Sequence, residues 1–285
     1  MNINWYPGHM KVALDKIRKS LKMVDIACEI VDARIPISSR NPILDTIIRD
    51  FPRMIILNKT DMADPKENQK WIDYFNKQGI KAIEFNSLKD RKTDKLYKSA
   101  REILKDKFEL KKQKEMTSDV IKMMIVGIPN VGKSTFINNV SKRKGTKTGN
   151  KPGVTKLNQW IKTDSNLLLL DTPGVLWPKL DTPDKGMSLA FTRAIKDENL
   201  DIENLAFELI KVINSESKDY LKDRYGVDTQ QETINIMEDI AKKTGAILKG
   251  KEIDYFRVSN IILDDFRKVR IGRISLEKTS DIKNK

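Results

Sequence analysis

The residues best suited to chemistry form a glycine-bounded loop at positions 127–134, with the sequence GIPNVGKS. Between a strand and a helix, such a loop turns its backbone N–H groups toward phosphate oxygens, and the helix N-terminus adds partial positive charge. Lys133 would bring its ammonium to the β- and γ-phosphates, and Ser134 would be a magnesium ligand. The apolar run 123–126 before the loop favours this function over a chance glycine-rich turn. We expect nucleotide contacts from Gly127, Asn130, Val131, Gly132, Lys133, Ser134 and Thr135.

A second motif follows the apolar run 167–170 and has the sequence Asp-Thr-Pro-Gly. A strand that delivers an aspartate beside a phosphate-binding loop holds magnesium, usually through water, so Asp171 is a candidate magnesium ligand. The backbone amide of Gly174 can meet the γ-phosphate. The motif is common in isolation, and its place downstream of Ser134 makes it informative.

A third motif, Asn58-Lys59-Thr60-Asp61, follows the apolar run 54–57 and is suited to reading guanine. One carboxylate can accept both N1–H and the N2 amine of guanine, whereas adenine lacks this pair of donors, so Asp61 would discriminate between the purines. Asn58 would brace the loop, and the Lys59 stem would cover the base. The alternative is a turn that starts a helix. Asn86 and Ser87, after the next apolar run, can supply backbone contacts to guanine O6.

Short apolar runs alternate with helical patterns, which predicts an α/β domain with a mainly parallel sheet flanked by helices. Expected strands cover residues 26–31, 54–57, 82–85, 123–126 and 167–170, and expected helices begin near residues 10, 41, 71 and 96. We expect this domain to span 1–177, with an N-terminal arm at 1–9 and a polar linker at about 106–119. Residues 178–285 are expected to form a smaller, all-α domain, with helices at 205–213, 234–241 and 261–269.

The charge balance indicates a polyanionic partner, of which nucleic acid is the most plausible. The chain of 285 residues has a net charge of +14, and the surplus lies in residues 1–177 because residues 178–285 contain equal numbers of acidic and basic side chains. The expected contacts are a basic loop at 142–162, which contains no acidic residue, and the tail 245–285. Aromatic side chains at helical spacing are expected in the core, namely Tyr255, Phe256 and Phe266, and Trp71, Trp160 and Trp177 are expected to pack.

Cysteine and histidine usage excludes several classes of site. Cys28 is the only cysteine and His9 the only histidine, so one chain forms neither a disulfide nor a multi-histidine metal site. A reducing, cytoplasmic compartment fits this composition. The apolar runs are only a few residues long, so we expect no membrane association.

The motifs resemble those of the P-loop GTPases in an unusual order. The base-reading motif at 58–61 precedes the phosphate loop, whereas in most GTPases it follows the Asp-x-x-Gly strand, so the domain is expected to be circularly permuted. Permutation would lead the segment after residues 171–174 directly into the C-terminal domain. The γ-phosphate-dependent order of that segment would then be tied to the second domain.

Several further segments resemble the ribosome biogenesis GTPase A family. They are 5–10 (WYPGHM), 32–36 (DARIP), 38–42 (SSRNP), 265–267 (DFR) and 272–274 (GRI). The resemblance covers nearly the whole chain. It implies a bacterial factor that binds the immature large (50S) ribosomal subunit, contacts rRNA and ribosomal proteins, and hydrolyses GTP late in assembly. We expect a monomer off the ribosome.

The residue that activates water is not the glutamine that many small GTPases place after Asp-x-x-Gly, because Val175 stands there. The resemblance assigns the catalytic role to His9, and the alternative is a structural histidine that caps the first helix. Asn130 resembles the P-loop asparagine of potassium-stimulated GTPases, although asparagine also tolerates turn geometry. Thr155 resembles the switch I threonine and is the candidate second magnesium ligand.

Two functions therefore remain open. The first is a GTP-hydrolysing assembly factor for the large subunit, slow alone and stimulated by the particle. The second is a GTP-dependent RNA- or protein-binding switch whose turnover is incidental. Asp61 argues against a third function, an ATPase.

Overall fold

A computed structural model describes residues 7–115, 118–141, 160–176 and 182–282. The side chains of residues 7–10 and 199 are outside that description. The predictions for Thr155, for Trp177 and for the catalytic side chain of His9 therefore lie outside the described residues, as does most of the basic loop at 142–162.

The sheet has six strands in the order β3-β2-β1-β4-β6-β5. The strands are β1 (Ile26–Asp32), β2 (Arg53–Asn58), β3 (Lys81–Phe85), β4 (Ile121–Val126), β5 (Trp160–Lys162) and β6 (Leu167–Asp171). All neighbouring pairs are parallel except β5 with β6. The five predicted strands are confirmed. The antiparallel edge strand β5 was not predicted, since it occupies three residues within a segment expected to be a loop.

Among the described residues, the α/β part contains six helices on two faces of the sheet. They are α1 (Pro7–Leu21), α2 (Pro42–Ile48), α3 (Pro65–Lys77), α4 (Asp94–Ile103), α5 (Lys105–Gln113) and α6 (Lys133–Val140). Alternate side chains of β1 enter opposite cores, with Ile30 among the residues packed under α4 and α6, and Ala27 among those under α1 and α2. Both faces are covered, which explains why the strands read as continuous apolar runs.

Two boundaries differ from the predicted ones. Helix α1 begins at Pro7, inside the expected arm, because proline suits the first helical position. The expected linker at 106–119 contains α5, which has no buried residue. The segment therefore connects α4 to β4 as an exposed helix.

The helical part contains α7 (Pro183–Phe191), α8 (Ile202–Glu216), α9 (Lys218–Tyr225), α10 (Thr233–Thr244) and α11 (Tyr255–Arg267). Helices α8, α10 and α11 confirm three predictions, although α11 begins six residues before the expected start at residue 261. Helices α7 and α9 were missed because each is short. Helix α9 is also strongly polar and buries only Leu221 and Tyr225.

The early start of α11 explains a wrong prediction about aromatic residues. Phe266 is buried as expected, and Tyr255 is half-buried with its hydroxyl donating to Glu238. Phe256, however, is 62% exposed. Trp71 is fully buried, whereas Trp160 on the edge strand is half-exposed and faces the Lys122 ammonium.

The chain after α11 returns to the α/β part. Residues 272–281 are called the C-terminal strap below. Within it, the Glu277 carboxylate accepts hydrogen bonds from Ile37 N at 2.7 Å and Ser38 N at 3.0 Å, and its carbonyl accepts one from Trp71 Nε1. The strap thus packs on the α/β part, although residues 178–285 were expected to form one helical domain.

No helix in the described ranges combines the length and the apolar character that a bilayer crossing requires.

Candidate nucleotide-binding site

The carboxyl ends of the parallel strands meet at one edge of the sheet. Asp32 pairs in register with Asn58, Asn58 with Phe85, and Ile125 with Asp171. The loops that follow these residues contain all three motifs. Ligands of open α/β sheets bind at this edge, so the fold brings the predicted phosphate and base loops to a common place.

The phosphate loop lies between β4 and α6 and requires its two flanking glycines. Gly127 has φ 148° and Gly132 has φ 101°, both in the region that disfavours side chains. A Cβ at Gly127 would lie 2.6 Å from Ile30 O, and one at Gly132 would lie 2.3 Å from Asn58 Nδ2. The loop is therefore packed directly against the ends of β1 and β2.

Lys133 begins α6 and folds back over the loop. Its buried ammonium donates to Gly127 O at 3.0 Å and to Ile128 O at 2.8 Å. Burial lowers the pKa of Lys133 to about 8, against the opposing effect of the Asp171 charge. The Lys133 ammonium is therefore a buried, poorly solvated positive charge. An incoming phosphate can replace the two carbonyl oxygens as the acceptor of its hydrogen bonds.

Ser134 and Thr135 are exposed in the first turn of α6. That turn contains no acidic residue, and the first N–H groups of a helix have no intrahelical partner. An anion can therefore approach this helix end without opposition from a carboxylate of the helix itself.

The segment after β6 lies against the phosphate loop. A Cβ at Gly174 would lie 2.8 Å from Lys133 Nζ and 3.1 Å from Pro129 N, so the backbone there approaches the loop closely. Thr172 donates to Ile125 O at 2.6 Å. The side chain of Asn41 donates to Val175 O at 2.8 Å. Asn41 was missed as a site residue, because its partner is a backbone atom far along the chain.

Asn58 connects the base loop to the phosphate loop. Its Nδ2 atom donates to Val131 O at 2.7 Å, and its Oδ1 atom accepts from Ser87 N at 3.1 Å. The side chain is 1% exposed. One amide thus joins the loops that follow β2, β3 and β4.

Lys59 adds a second link between the base and phosphate loops. Its ammonium donates to Asn130 O at 2.7 Å and to Asp32 Oδ2 at 2.9 Å. Burial would raise the pKa of Asp32, but the charges of Arg34 and Lys59 outweigh it and hold that pKa well below its usual range. Asp32 therefore anchors both cations, and the sequence motif alone did not identify it as a site residue.

Ser87 places an unsatisfied polar atom beside these loops. Its Oγ atom is buried and is among the few buried side-chain atoms of the described residues that have no hydrogen-bond partner. Asn86 instead uses its side chain locally, since its Oδ1 accepts from Leu88 N at 3.0 Å. A bound polar ligand can supply the missing partner of Ser87.

Asp61 lies just past the end of β2, in a loop that is held by its backbone. Thr60 O accepts from Asn68 Nδ2 at 3.0 Å and from Arg273 Nη2 at 2.6 Å. The side chain of Asp61 is half-buried. Arg273 belongs to the C-terminal strap and was not predicted to touch this loop.

Asn130 adopts φ 62°, a turn geometry that asparagine tolerates. Its Nδ2 atom donates to Arg193 O at 2.6 Å, which links the phosphate loop to the chain just after α7. The amide nitrogen faces that carbonyl, and the amide oxygen is the atom that can bind a cation.

Known proteins resemble this chain over its whole length. Ribosome biogenesis GTPase A of Bacillus licheniformis is 40% identical over 99% of this chain and 100% of its own. Ribosome biogenesis GTPase A of Priestia megaterium is also 40% identical, and the match covers 99% of this chain and 98% of that protein. The chain belongs to the ribosome biogenesis GTPase A family. A family model described as 50S ribosome-binding GTPase matches residues 122–248 of this family member.

Solved structures agree with the fold of this ribosome biogenesis GTPase A family member. A GDP-bound YlqF has a TM-score of 0.67 at 25% identity and covers 93% of this chain and 100% of its own. GNP-bound YlqF from T. maritima has a TM-score of 0.65 at 24% identity, and the match covers 95% of this chain and 100% of that structure. The predicted circularly permuted GTPase domain with a helical C-terminal region is confirmed. The GTPase model starts at residue 122, after the base motif at 58–61.

The lowered pKa of Lys133 generates a prediction about proton uptake. In the nucleotide-free protein at pH 8, we expect about half of the Lys133 side chains to be neutral, because the pKa is about 8. Phosphate binds the ammonium form, so GDP binding at pH 8 should take up roughly half a proton and at pH 7 only about a tenth. Affinity should fall as the pH rises above 8. Titration calorimetry in two buffers of different ionisation enthalpy measures the uptake, and equal uptake at both pH values contradicts the assignment.

Proposed function

We propose that this family member is a GTP-hydrolysing factor that binds the immature large ribosomal subunit and acts late in its assembly. It would act in the cytoplasm as a monomer between encounters with the particle. The observation that supports the nucleotide part is the double link of Asn58 and Lys59 to the phosphate loop, which joins the proposed guanine-reading motif to the proposed phosphate cradle. Its relatives' names, ribosome biogenesis GTPase A, support the ribosomal part.

Each loop takes one part of the nucleotide in this proposal. The backbone of the phosphate loop and Lys133 bind the β- and γ-phosphates, and Gly174 meets the γ-phosphate. Asp61 accepts from guanine N1–H and N2, while the Lys59 stem covers the base. Asn86 and Ser87 contact guanine O6, next to the buried Ser87 hydroxyl, which has no hydrogen-bond partner within the described residues. Thr60, Val131 and Thr135 complete the contacts.

The residues beside the phosphate loop fit a magnesium ion. The hydroxyl of Ser134 and the carboxylate of Asp171 are hard oxygen donors, and the effect of the Asp171 charge on the pKa of Lys133 supports a magnesium site at this loop. Ser134 would bind directly, Asp171 through water, and Thr155 would be the further ligand. Bound magnesium neutralises charge that develops on the phosphates.

Replacing Asp61 should change which base is bound. In Asp61→Asn the amide nitrogen donates where guanine N2 also donates, so GDP affinity should fall on the order of tenfold to a hundredfold and xanthosine diphosphate should bind better than GDP. Competition binding with both nucleotides measures the change. Asp73→Asn, on the exposed side of α3, is the matched control and should keep the preference for GDP. Unchanged GDP affinity in Asp61→Asn contradicts the base assignment.

The residue after Asp-x-x-Gly, which activates water in many small GTPases, cannot do so in this chain. Val175 is apolar and 3% exposed, so it cannot polarise water. His9 lies in the first turn of α1, and histidine is a residue type that often transfers protons in catalysis. We assign the water-activating role to His9. Binding to the ribosomal particle would bring it into place.

The helical part offers a basic and apolar surface to RNA. Phe256 and Leu248 are 62% and 50% exposed, and Lys249, Lys251 and Arg257 are exposed beside them in sequence. An exposed aromatic ring can stack on an unpaired base, and the basic side chains can contact phosphates. With the basic loop at 142–162, the tail 245–285 is the proposed rRNA contact, and ribosomal proteins are further partners.

Particle-dependent turnover tests the function. GTP hydrolysis by the wild type should rise several-fold with large-subunit precursors and lose the stimulation as salt increases. His9→Ala should keep GDP affinity but lower the stimulated rate by roughly 10²–10⁴-fold, the usual contribution of a positioned acid or base. A stimulated rate that survives in His9→Ala makes His9 structural. Wild-type turnover that is indifferent to the particle favours the second function, a GTP-dependent binding switch.

Potassium is the second candidate contribution to catalysis. A cation bound by Asn130 Oδ1 would place positive charge between the phosphates, where other GTPases use an arginine. Stimulated hydrolysis should be slower in sodium chloride than in potassium chloride at equal concentration. Asn130→Gly keeps the positive φ but removes the oxygen, so its rate should be the same in both salts. Equal wild-type rates in the two salts exclude the role.

A further inference from the structure

The C-terminal strap holds the backbone of the base loop through one arginine. Arg273 Nη2 donates to Thr60 O at 2.6 Å, and Arg273 Nε donates to Ala63 O at 2.9 Å. These carbonyls flank Asp61 on both sides. A planar guanidinium with fixed donor directions can hold two acceptors at a set separation. The peptide segment that carries Asp61 is therefore clamped at its two ends by one side chain.

Other contacts reinforce the same segment. Ser275, also in the strap, accepts at its Oγ atom from Asp64 N at 3.1 Å. Asn68 on α3 donates to Thr60 O at 3.0 Å. Asp64 in turn caps α3 through Lys66 N at 2.9 Å. The clamp thus joins the base loop to the strap and to the start of α3.

The strap is itself fastened to the helical part. Tyr220 on α9 donates to Arg273 O at 3.3 Å. Gly272 has φ 151°, and a Cβ there would lie 2.6 Å from the Tyr220 ring, so the backbone must pass close to that ring. Lys278 forms an ion pair with Glu216 of α8. The strap therefore connects the helical part to the backbone around Asp61 through direct contacts.

We propose that Arg273 is a positioning residue for guanine recognition, which acts by holding Thr60 and Ala63 so that the Asp61 carboxylate faces the base. The inference rests on the proposed role of Asp61. The hydrogen bonds that Asp61 accepts from both guanine donors require a carboxylate with a fixed orientation, because their strength falls steeply with misalignment. A base loop without the clamp loses that orientation while the phosphate loop keeps its own contacts.

The preference for guanine over hypoxanthine isolates this effect. Inosine diphosphate lacks the N2 amine but keeps N1–H and the phosphates, so the ratio of GDP to IDP affinity reports the contact between the Asp61 carboxylate and N2. In Arg273→Ala we expect GDP affinity to fall about tenfold and IDP affinity to fall by a smaller factor, because inosine has only the N1–H contact with Asp61 to lose, so the GDP preference also decreases. Calorimetry on the full chain gives both constants.

Two further variants separate geometry from charge and from stability. Arg273→Lys keeps the positive charge but cannot span both carbonyls, so it should restore only part of the preference. Arg224→Ala removes a helical-part arginine that pairs with Asp265, and it should keep the wild-type preference. Thermal unfolding of each variant reports stability. Ser275→Ala, a milder loosening of the strap, should lower the preference less than Arg273→Ala.

The outcomes distinguish this inference from the proposed function. A wild type without a GDP preference overturns the Asp61 assignment itself. A wild type that prefers GDP, together with an Arg273→Ala variant that keeps the whole preference, overturns the positioning role alone. Full recovery in Arg273→Lys also overturns it, since charge would then explain the effect. An equal loss in Arg224→Ala shows that general destabilisation is responsible.

Discussion

The side-chain amide of Asn58 joins the purine side of the site to its phosphate side. Its nitrogen donates to Val131 O in the phosphate loop, and its oxygen accepts from Ser87 N. Because the amide is buried, losing either partner would leave a polar group unpaired, which is costly. The same contact explains why position 132 is glycine, since any Cβ would collide with Asn58 Nδ2. One buried side chain thus joins the base and phosphate sides of the site directly, and Lys59 adds the second link between them.

Circular permutation connects the nucleotide site directly to the helical part of the chain. The chain leaves the phosphate edge after β6 and enters the helical part, and three contacts lead back from later or distant segments. Asn41 holds Val175 O, Asn130 holds Arg193 O, and Arg273 holds Thr60 O. Each joins a side chain to a backbone carbonyl. A change in the helical part therefore has direct mechanical routes to the phosphate loop and the base loop, and coupling between two such sites is reciprocal in free energy.

Local patterns predicted the sheet and the motifs but failed where the pattern was short or polar. The five parallel strands were predictable because burial on both faces makes each a continuous apolar run. Strand β5 has only three residues, and helix α9 is mostly charged, so neither has a usable periodicity. Phe256 follows helical spacing, yet the start of α11 at Tyr255 leaves its ring exposed. The strap at 272–281 has no regular pattern over most of its length.

The sequence by itself determined the chemistry, because phosphate and guanine each demand particular atoms at fixed local spacing. Glycines, a lysine and a hydroxyl within eight residues, and an asparagine and an aspartate within four, indicate those two ligands before any fold is known. Only the tertiary structure decided that Asp32, Asn41 and Arg273 hold these loops in place. Their partners are mostly backbone carbonyls or residues distant in the chain. Every residue has a carbonyl, so residue type gives no signal for such a partner, and only folding brings donor and acceptor together.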